Sequence, residues 1–350
     1  MSSCKAVAPT LGKALITARS VAGSERALAR LRDAGVDVVV KTTPLPWDEA
    51  WLIEQARDVD ALVVAMEPVS ARLLEAAKRL KIIARPGVGH DTVDLAAATR
   101  HGVAVTVAAG ANDQSVADFA FGLLLAGTRG IVGAVESVRA HGWERCTGTE
   151  AWGKTLAVVG LGRIGRGVAR RARGFDMRVL AVSRSRGDAF AAAHGIGYAS
   201  LDDALAQADF VSLHAPLTPD TENLIDARAL SRMKRGAYLV NTSRGGLVDE
   251  TALAEAVRSG HLAGAAVDVL RVQGANSPSP LIGVPGILVT PHMATFSRES
   301  MERVALAVAA SVVAALNGER PPGLVNPQAG PRAHDFRGST IRSTGFTPLS

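Results

Sequence analysis

Short apolar runs alternate with amphipathic stretches along most of this chain. Runs at 14–17, 36–40, 61–65, 82–84 and 103–107 have the length of strands. Segments with helical spacing lie between them, such as 24–34, with Ala27, Leu28 and Leu31 on one face, and 69–80. Five strands alternating with helices predict a parallel, doubly wound sheet. A long helix is expected from about Ser115, with Phe119, Leu123 and Leu124 inward and Asn112 or Asp113 as its cap. A polar stretch follows it. A second series then runs through 156–159, 179–183, 210–214, 237–241, 264–269 and 287–290. Asp249 is placed to cap a helix that ends at Gly260. The helix at 298–316 follows the second sheet and is expected to cross back onto the first domain. The expected fold class is therefore α/β, with two doubly wound parallel-sheet domains, one inserted in the other. The boundaries read as 1–109 with 295–326 for the outer domain and 110–294 for the inner one. Residues 1–12 read as a loose arm, and 327–350, rich in Pro, Gly, Ser and Arg, as a disordered tail.

The second series opens on Lys154-Thr-Leu-Ala-Val-Val-Gly-Leu-Gly-Arg-Ile-Gly-Arg-Gly-Val-Ala169. Gly160, Gly162 and Gly165 stand between an apolar run and a helical pattern, with Arg163 and Ile164 inside the motif. This is the context of a Rossmann dinucleotide fingerprint. Gly160 permits a tight turn, Gly162 lets backbone approach a pyrophosphate, and Gly165 lets helix and strand pack closely. The pyrophosphate would sit against free N–H groups at the helix N-terminus. Glycine contributes 35 of 350 residues, so the spacing alone would be weak. The strand before it and the helix after it make the motif specific. No such fingerprint follows the first strand of the chain, which assigns the cofactor to the inner domain.

Composition narrows the class. Hydrophobic residues at 47% and charged residues at 21% describe a globular chain long enough for two cores. The net charge of +6 comes from scattered Lys and Arg, and aromatics make up only 4%. No basic run interleaves with aromatics, so the excess suits small anions rather than nucleic acid. Only Cys4 and Cys146 are present, with no disulfide framework and no zinc spacing. A reducing cytoplasm is expected, with no metal. No run has the length of a membrane span, and the N-terminus lacks the pattern of a signal peptide.

Polar groups at the strand ends of the second series supply the candidate chemistry. An acidic residue about 20 positions past the glycines usually holds the ribose 2′-OH. Here Ser183 takes that position, followed by Arg184 and Arg186. Ser and Arg would bind a 2′-phosphate that a carboxylate would repel, so NADP(H) is preferred over NAD(H). The alternative is a solvated basic loop. His214, the run Asn241-Thr-Ser-Arg244, Asp268 and His292 fall where a doubly wound sheet opens its crevice. Arg244 precedes Gly245-Gly246 and is suited to a bidentate grip on a carboxylate. His292 follows Thr290-Pro291 and is the natural acid–base group, although a histidine taken alone is more often structural.

Taken together, these motifs resemble the D-isomer-specific 2-hydroxyacid dehydrogenase family, and especially its phosphoglycerate dehydrogenase branch. The resemblance runs from about Lys81 to Leu316. It rests on Ala84-Arg-Pro-Gly-Val-Gly-His-Asp-Thr-Val-Asp94, Gly110-Ala-Asn-Asp-Gln-Ser-Val-Ala-Asp118, the fingerprint, Asn241-Thr-Ser-Arg-Gly-Gly-Leu-Val-Asp-Glu250 and Thr290-Pro-His-Met-Ala294. It implies a flavodoxin-like substrate domain around the Rossmann domain, and a homodimer. It further implies that Arg244 polarises a 2-oxo acid, His292 exchanges the proton and Asp268 contacts the nicotinamide amide. Backbone N–H groups at Val88 and Gly89 would hold the substrate carboxylate. Arg85 would meet a second anionic group, and Asn112 would join this substrate side. Pro216, Thr221, Thr242, Ser243 and Ala294 would join His214 around the cofactor. The regulatory C-terminal domain of longer members is not expected here.

One position departs from the family. Its glutamate partner for the histidine, five residues after the aspartate, is replaced by Gln273, and no Asp or Glu lies between Asp268 and His292. Glutamine at this position is similar to the formate dehydrogenases, which transfer hydride without proton exchange at the histidine. Three readings follow: an NADP(H)-dependent 2-hydroxyacid dehydrogenase or reductase, a hydride-only oxyanion dehydrogenase, and a nucleotide-sensing protein without turnover. Arg244 retained with His292 favours an enzyme.

Overall fold

The computed structural model describes residues 10–41, 48–186 and 189–329. The expected arm and tail therefore fall mostly outside the described residues. Strands β1 (Gly12–Ile16), β2 (Val36–Val40), β3 (Ala61–Val63), β4 (Ile82–Arg85) and β5 (Ala104–Val107) form one parallel sheet in the order β2-β1-β3-β4-β5. This is the flavodoxin-like order. The second sheet contains β6 (Thr155–Val159), β7 (Arg178–Val182), β8 (Gly197–Tyr198), β9 (Phe210–Leu213), β10 (Tyr238–Asn241), β11 (Gly264–Val267) and β12 (Ile287–Val289). Its order is β12-β11-β10-β9-β6-β7-β8, again parallel throughout. Counted from β6 this is the Rossmann order, extended by one strand.

The chain divides into two compact units, Met1–Asn112 with Arg298–Ser350, and Asp113–Ser297. Each division falls three residues beyond the boundaries read from the sequence.

Alternation along each strand sends side chains to two cores. In the second unit Val159, Val211, Leu239 and Val267 face one core, while Leu156, Val158, Phe210 and Val240 face the other. Helices Leu201–Gln207, Ala227–Arg232 and Glu250–Arg258 close the first, and Asp113–Thr128 and Arg163–Arg173 close the second. In the first unit Ala14, Ile16 and Ile82 face helices Glu25–Asp33 and Arg298–Leu316, with Ala305, Val308 and Val312 packed beside Leu28 and Leu31. That is the return crossing expected for 298–316. Asp249 caps its helix as expected, and Ser24, Ser70, Asp94, Ser200 and Asp226 each likewise accept from a first-turn N–H. The long helix expected from about Ser115 already starts at Asp113.

Two local expectations are corrected. The polar stretch after the long helix contains a further helix, Ile131–Arg139, none of whose residues is buried. The seven-stranded sheet also ends on β8, whose two residues are too short for an apolar run. No single helix among the described residues is long and apolar enough to cross a membrane.

Candidate active site

The glycines of the fingerprint act by close approach. Gly160 ends β6 with φ +99°, and a side-chain carbon there would lie 2.6 Å from the His214 carbonyl carbon and oxygen. A carbon on Gly165 would lie 2.0 Å from the Gly160 carbonyl oxygen. Gly162 meets nothing within 4 Å and opens the helix Arg163–Arg173 with no side-chain cap. The first N–H groups of that helix are thus presented bare, the arrangement that receives a phosphate anion. Arg163 is exposed and Ile164 half-buried. This turn stands between β6 and β9, where the strand order reverses, the place at which sheets of this kind generally receive their ligand.

Ser183 follows β7 and is half-buried, and Arg184 beside it is exposed, as is Arg186. From the end of β9, the His214 ring Nε2 is 2.8 Å from Ser212 Oγ. Burial holds the His214 pKa down at about 4, so the ring is neutral at ordinary pH. Thr221 Oγ1 donates to the Pro216 carbonyl at 2.7 Å and accepts from Thr218 N–H at 2.8 Å. Ser243 Oγ donates to the Ala215 carbonyl at 2.6 Å. Both hydroxyls thereby shape the rim after β9. Thr242 is buried after β10, and its hydroxyl has no partner among the described residues. An unsatisfied buried hydroxyl costs stability, so one at a crevice fits a ligand that completes it.

The turn bearing Arg244 is built by Asn241, which is 1% exposed. Its Nδ2 donates to the Arg244 carbonyl at 2.9 Å, and its Oδ1 accepts from Ser243 N–H at 3.0 Å. Arg244 is half-buried and donates from Nη1 to the Ser243 carbonyl at 2.8 Å. Sequence reasoning missed this supporting role of Asn241, because it depends on a turn that neither residue specifies alone.

Asp268, also 1% exposed, organises the other side. Its carboxylate accepts from Thr290 Oγ1 at 2.6 Å, Met293 N–H at 2.9 Å and Ala294 N–H at 2.8 Å. Those bonds fold residues 290–294 around His292, whose φ of +52° is unusual for a side chain of this size. The His292 ring Nδ1 lies 2.8 Å from Gln273 Oε1. An amide oxygen only accepts, so this contact holds a proton on Nδ1 and leaves Nε2 as the working nitrogen. The structure therefore brings the Gln273–His292 pair together and gives Asp268 a positioning task that the motif alone did not reveal. A carboxylate has about four acceptor sites, so Asp268 retains capacity for one more donor.

The substrate-side candidates belong to the first unit. Arg85 ends β4, is 4% exposed and donates from Nη1 to Thr92 Oγ1 at 2.5 Å. Val88 is exposed, Gly89 half-buried, and Asn112 is buried where the unit ends. The Gly87 carbonyl accepts from Ala108 N–H at 2.8 Å, which fastens the Arg85–Gly89 loop to the segment after β5. Among the described residues, no group of His, Cys, Asp and Glu is arranged to hold a metal ion.

Residues 121–294 match the model of the D-isomer specific 2-hydroxyacid dehydrogenase NAD-binding domain. A glyoxylate reductase of Korarchaeum cryptofilum is 42% identical over 282 residues, covering 79% of this chain and 85% of that protein. This chain belongs to the D-isomer-specific 2-hydroxyacid dehydrogenase family. A D-3-phosphoglycerate dehydrogenase of Mycobacterium leprae is 47% identical over 286 residues, 81% of this chain and 54% of that protein. The chain thus spans about half the length of that relative. Among solved structures, an acyclic imino acid reductase in complex with NADPH and D-Arg superposes with a TM-score of 0.80 at 26% identity, covering 89% of this chain and 99% of that one. Membership makes the chain an oxidoreductase with a nicotinamide nucleotide as its cofactor.

Proposed function

We propose that this chain interconverts a small anionic 2-hydroxy acid and its 2-oxo acid, of the glyoxylate, hydroxypyruvate or phosphoglycerate type, with NADP(H) preferred and NAD(H) accepted. The observation that carries the reading is the Asp268 clamp, which presents His292 with its Nδ1 already partnered by Gln273. The nicotinamide nucleotide, when bound, supplies or accepts the hydride. Gly160, Gly162, Arg163, Ile164 and Gly165 would hold its pyrophosphate side. Ser183 and Arg184 would hold the 2′-phosphate, and the absence of a carboxylate at this strand end supports that preference. His214, Pro216, Thr221, Thr242, Ser243, Asp268 and Ala294 would line the remainder.

Arg244 binds the substrate carboxylate and 2-oxo group, where its fixed positive charge stabilises the oxygen as it gains negative charge. His292 delivers a proton from Nε2 to that oxygen during reduction and takes it back during oxidation. Arg85, the Val88 and Gly89 amides and Asn112 form the substrate side, and buried Arg85 supports a second anionic group on the substrate. The outer unit is then the substrate domain and Asp113–Ser297 the cofactor domain. We also infer a homodimer and a cytoplasmic location. The dimer is supported by Ile131, Val132, Val135 and Val138, between 37% and 52% exposed on one nine-residue helix. The location is supported by a free Cys146 in a chain with two cysteines.

The deciding experiment measures initial rates with glyoxylate, hydroxypyruvate and phosphohydroxypyruvate against NADPH and NADH. Turnover of none of them would refute the reading, and a preference for NADH at equal concentration would refute the assignment of Ser183 and Arg184. One observation favours a second reading, hydride transfer alone from a formate-like donor: the partner of His292 is an amide rather than a carboxylate. Gln273→Glu separates the two. A carboxylate favours the imidazolium, so a proton-donating His292 should keep working to higher pH in the variant. Superimposable pH–rate profiles would support the hydride-only reading.

A further inference from the structure

Glu250 lies outside every role assigned above, yet it is a carboxylate only 8% exposed. It opens the helix Glu250–Arg258, whose N-terminus favours a negative charge. Its Oε1 accepts from the Arg271 backbone N–H at 2.7 Å, and its Oε2 accepts from Ser279 Oγ at 2.7 Å. These two donors stand at the ends of the loop that carries Gln273. Between them the loop closes on itself, with Ser277 Oγ donating to the Val272 carbonyl at 2.6 Å and Ser277 N–H to the Gly274 carbonyl at 3.3 Å.

The same loop is joined to the turn that bears Arg244. Arg271 donates from Nη2 to the Gly246 carbonyl at 3.3 Å and to Asn223 Oδ1, and from Nη1 to Glu222 Oε1 at 3.1 Å. A side-chain carbon on Gly245 would lie 2.2 Å from the Leu270 carbonyl carbon and 2.4 Å from Arg271 N. The chain leaving β11 therefore presses on the residue next to Arg244. One carboxylate thus holds both ends of a loop whose middle reaches His292.

We propose that Glu250 is the positioning residue for the Gln273–His292 pair, clamping the loop 271–279 so that Gln273 Oε1 meets His292 Nδ1. It acts by accepting two hydrogen bonds, not by its charge on the substrate. The proposal rests on the catalytic reading of that pair, so its test needs one readout that does not require turnover.

Glu250→Ala removes both acceptors and should lower kcat roughly tenfold or more, because small displacements of a catalytic pair are costly. The KM for NADPH should not move. Glu250→Gln keeps an oxygen for Arg271 N–H and an amide N–H that the Ser279 hydroxyl can accept, so it should restore most of the rate. In the Gln273→Ala background, Glu250→Ala should cost little more, because its effect passes through Gln273. Nitrogen-15 NMR of labelled histidine should show His292 losing its Nδ1–H preference in Glu250→Ala as it does in Gln273→Ala. That spectrum decides the proposal even if no 2-oxo acid is turned over, an outcome that would overturn the functional reading alone. Should Glu250→Ala fail to fold, Ser279→Ala removes one clamp and should shift the same signals less far. An unaltered His292 spectrum in a folded variant, full additivity with Gln273→Ala, or a Glu250→Gln as slow as Glu250→Ala would each overturn it.

Discussion

His214 should make the protein sensitive to acid over a defined range. Its ring is held neutral by burial, which lowers its pKa from 6.5 to about 4. The unfolded chain exposes the same ring, which then takes up a proton near its ordinary value. Between these two values the unfolded state binds more protons than the folded one, so stability falls as pH falls. Integrating the difference gives a loss of about 2 kcal/mol at pH 5 and about 3 kcal/mol at pH 4 from this group. His214→Gln removes the titration while keeping a side chain that can bond Ser212 Oγ, the ring's present partner at 2.8 Å. The assay is urea unfolding of both proteins at pH 7.5 and pH 5. Wild type should lose about 2 kcal/mol more than the variant between those values. Equal losses would show that His214 charges freely in the folded protein and would refute the neutral assignment.

Three further outcomes are expected. Ser183→Asp with Arg184→Ala should shift cofactor preference from NADPH toward NADH, measured as the ratio of kcat/KM values, because a ribose acceptor replaces the phosphate partners. Arg244→Lys keeps the charge but loses the planar fork, so kcat should fall by about two orders of magnitude with little change in cofactor Kd. Val135→Glu with Val138→Glu places two carboxylates on the exposed apolar helix and should give a monomer by sedimentation, without changing the circular dichroism; an unchanged dimer would remove this helix from the interface.

Much of this molecule could be read from the chain alone. Parallel strands covered on both faces form continuous apolar runs, which is why 61–65, 82–84 and 156–159 stood out and now appear as β3, β4 and β6. Glycine spacing announced the turn at Gly160 because only glycine tolerates φ +99° against the end of β9. Asp249 marked a helix start because its capping bond is local. His292 and Arg244 stood out because polar residues at strand ends are where such a sheet opens, whereas Gln273 stood out only through the family resemblance.

The remainder needed the tertiary structure, because it depends on partners far apart in the sequence. Asp268 reads as a ligand contact in its motif, whereas three bonds to residues 290–294 make it the clamp of the histidine segment. Glu250 ends a recognisable motif, and only the fold brings Arg271 and Ser279 to its two oxygens. Ser212 has no signal of its own until β9 places it under the His214 ring. The helix Ile131–Arg139 falls in what reads along the chain as a polar stretch, yet it carries Ile131, Val132, Val135 and Val138 exposed. Its exposure was decided by packing, because the two cores of this unit are already filled by other helices.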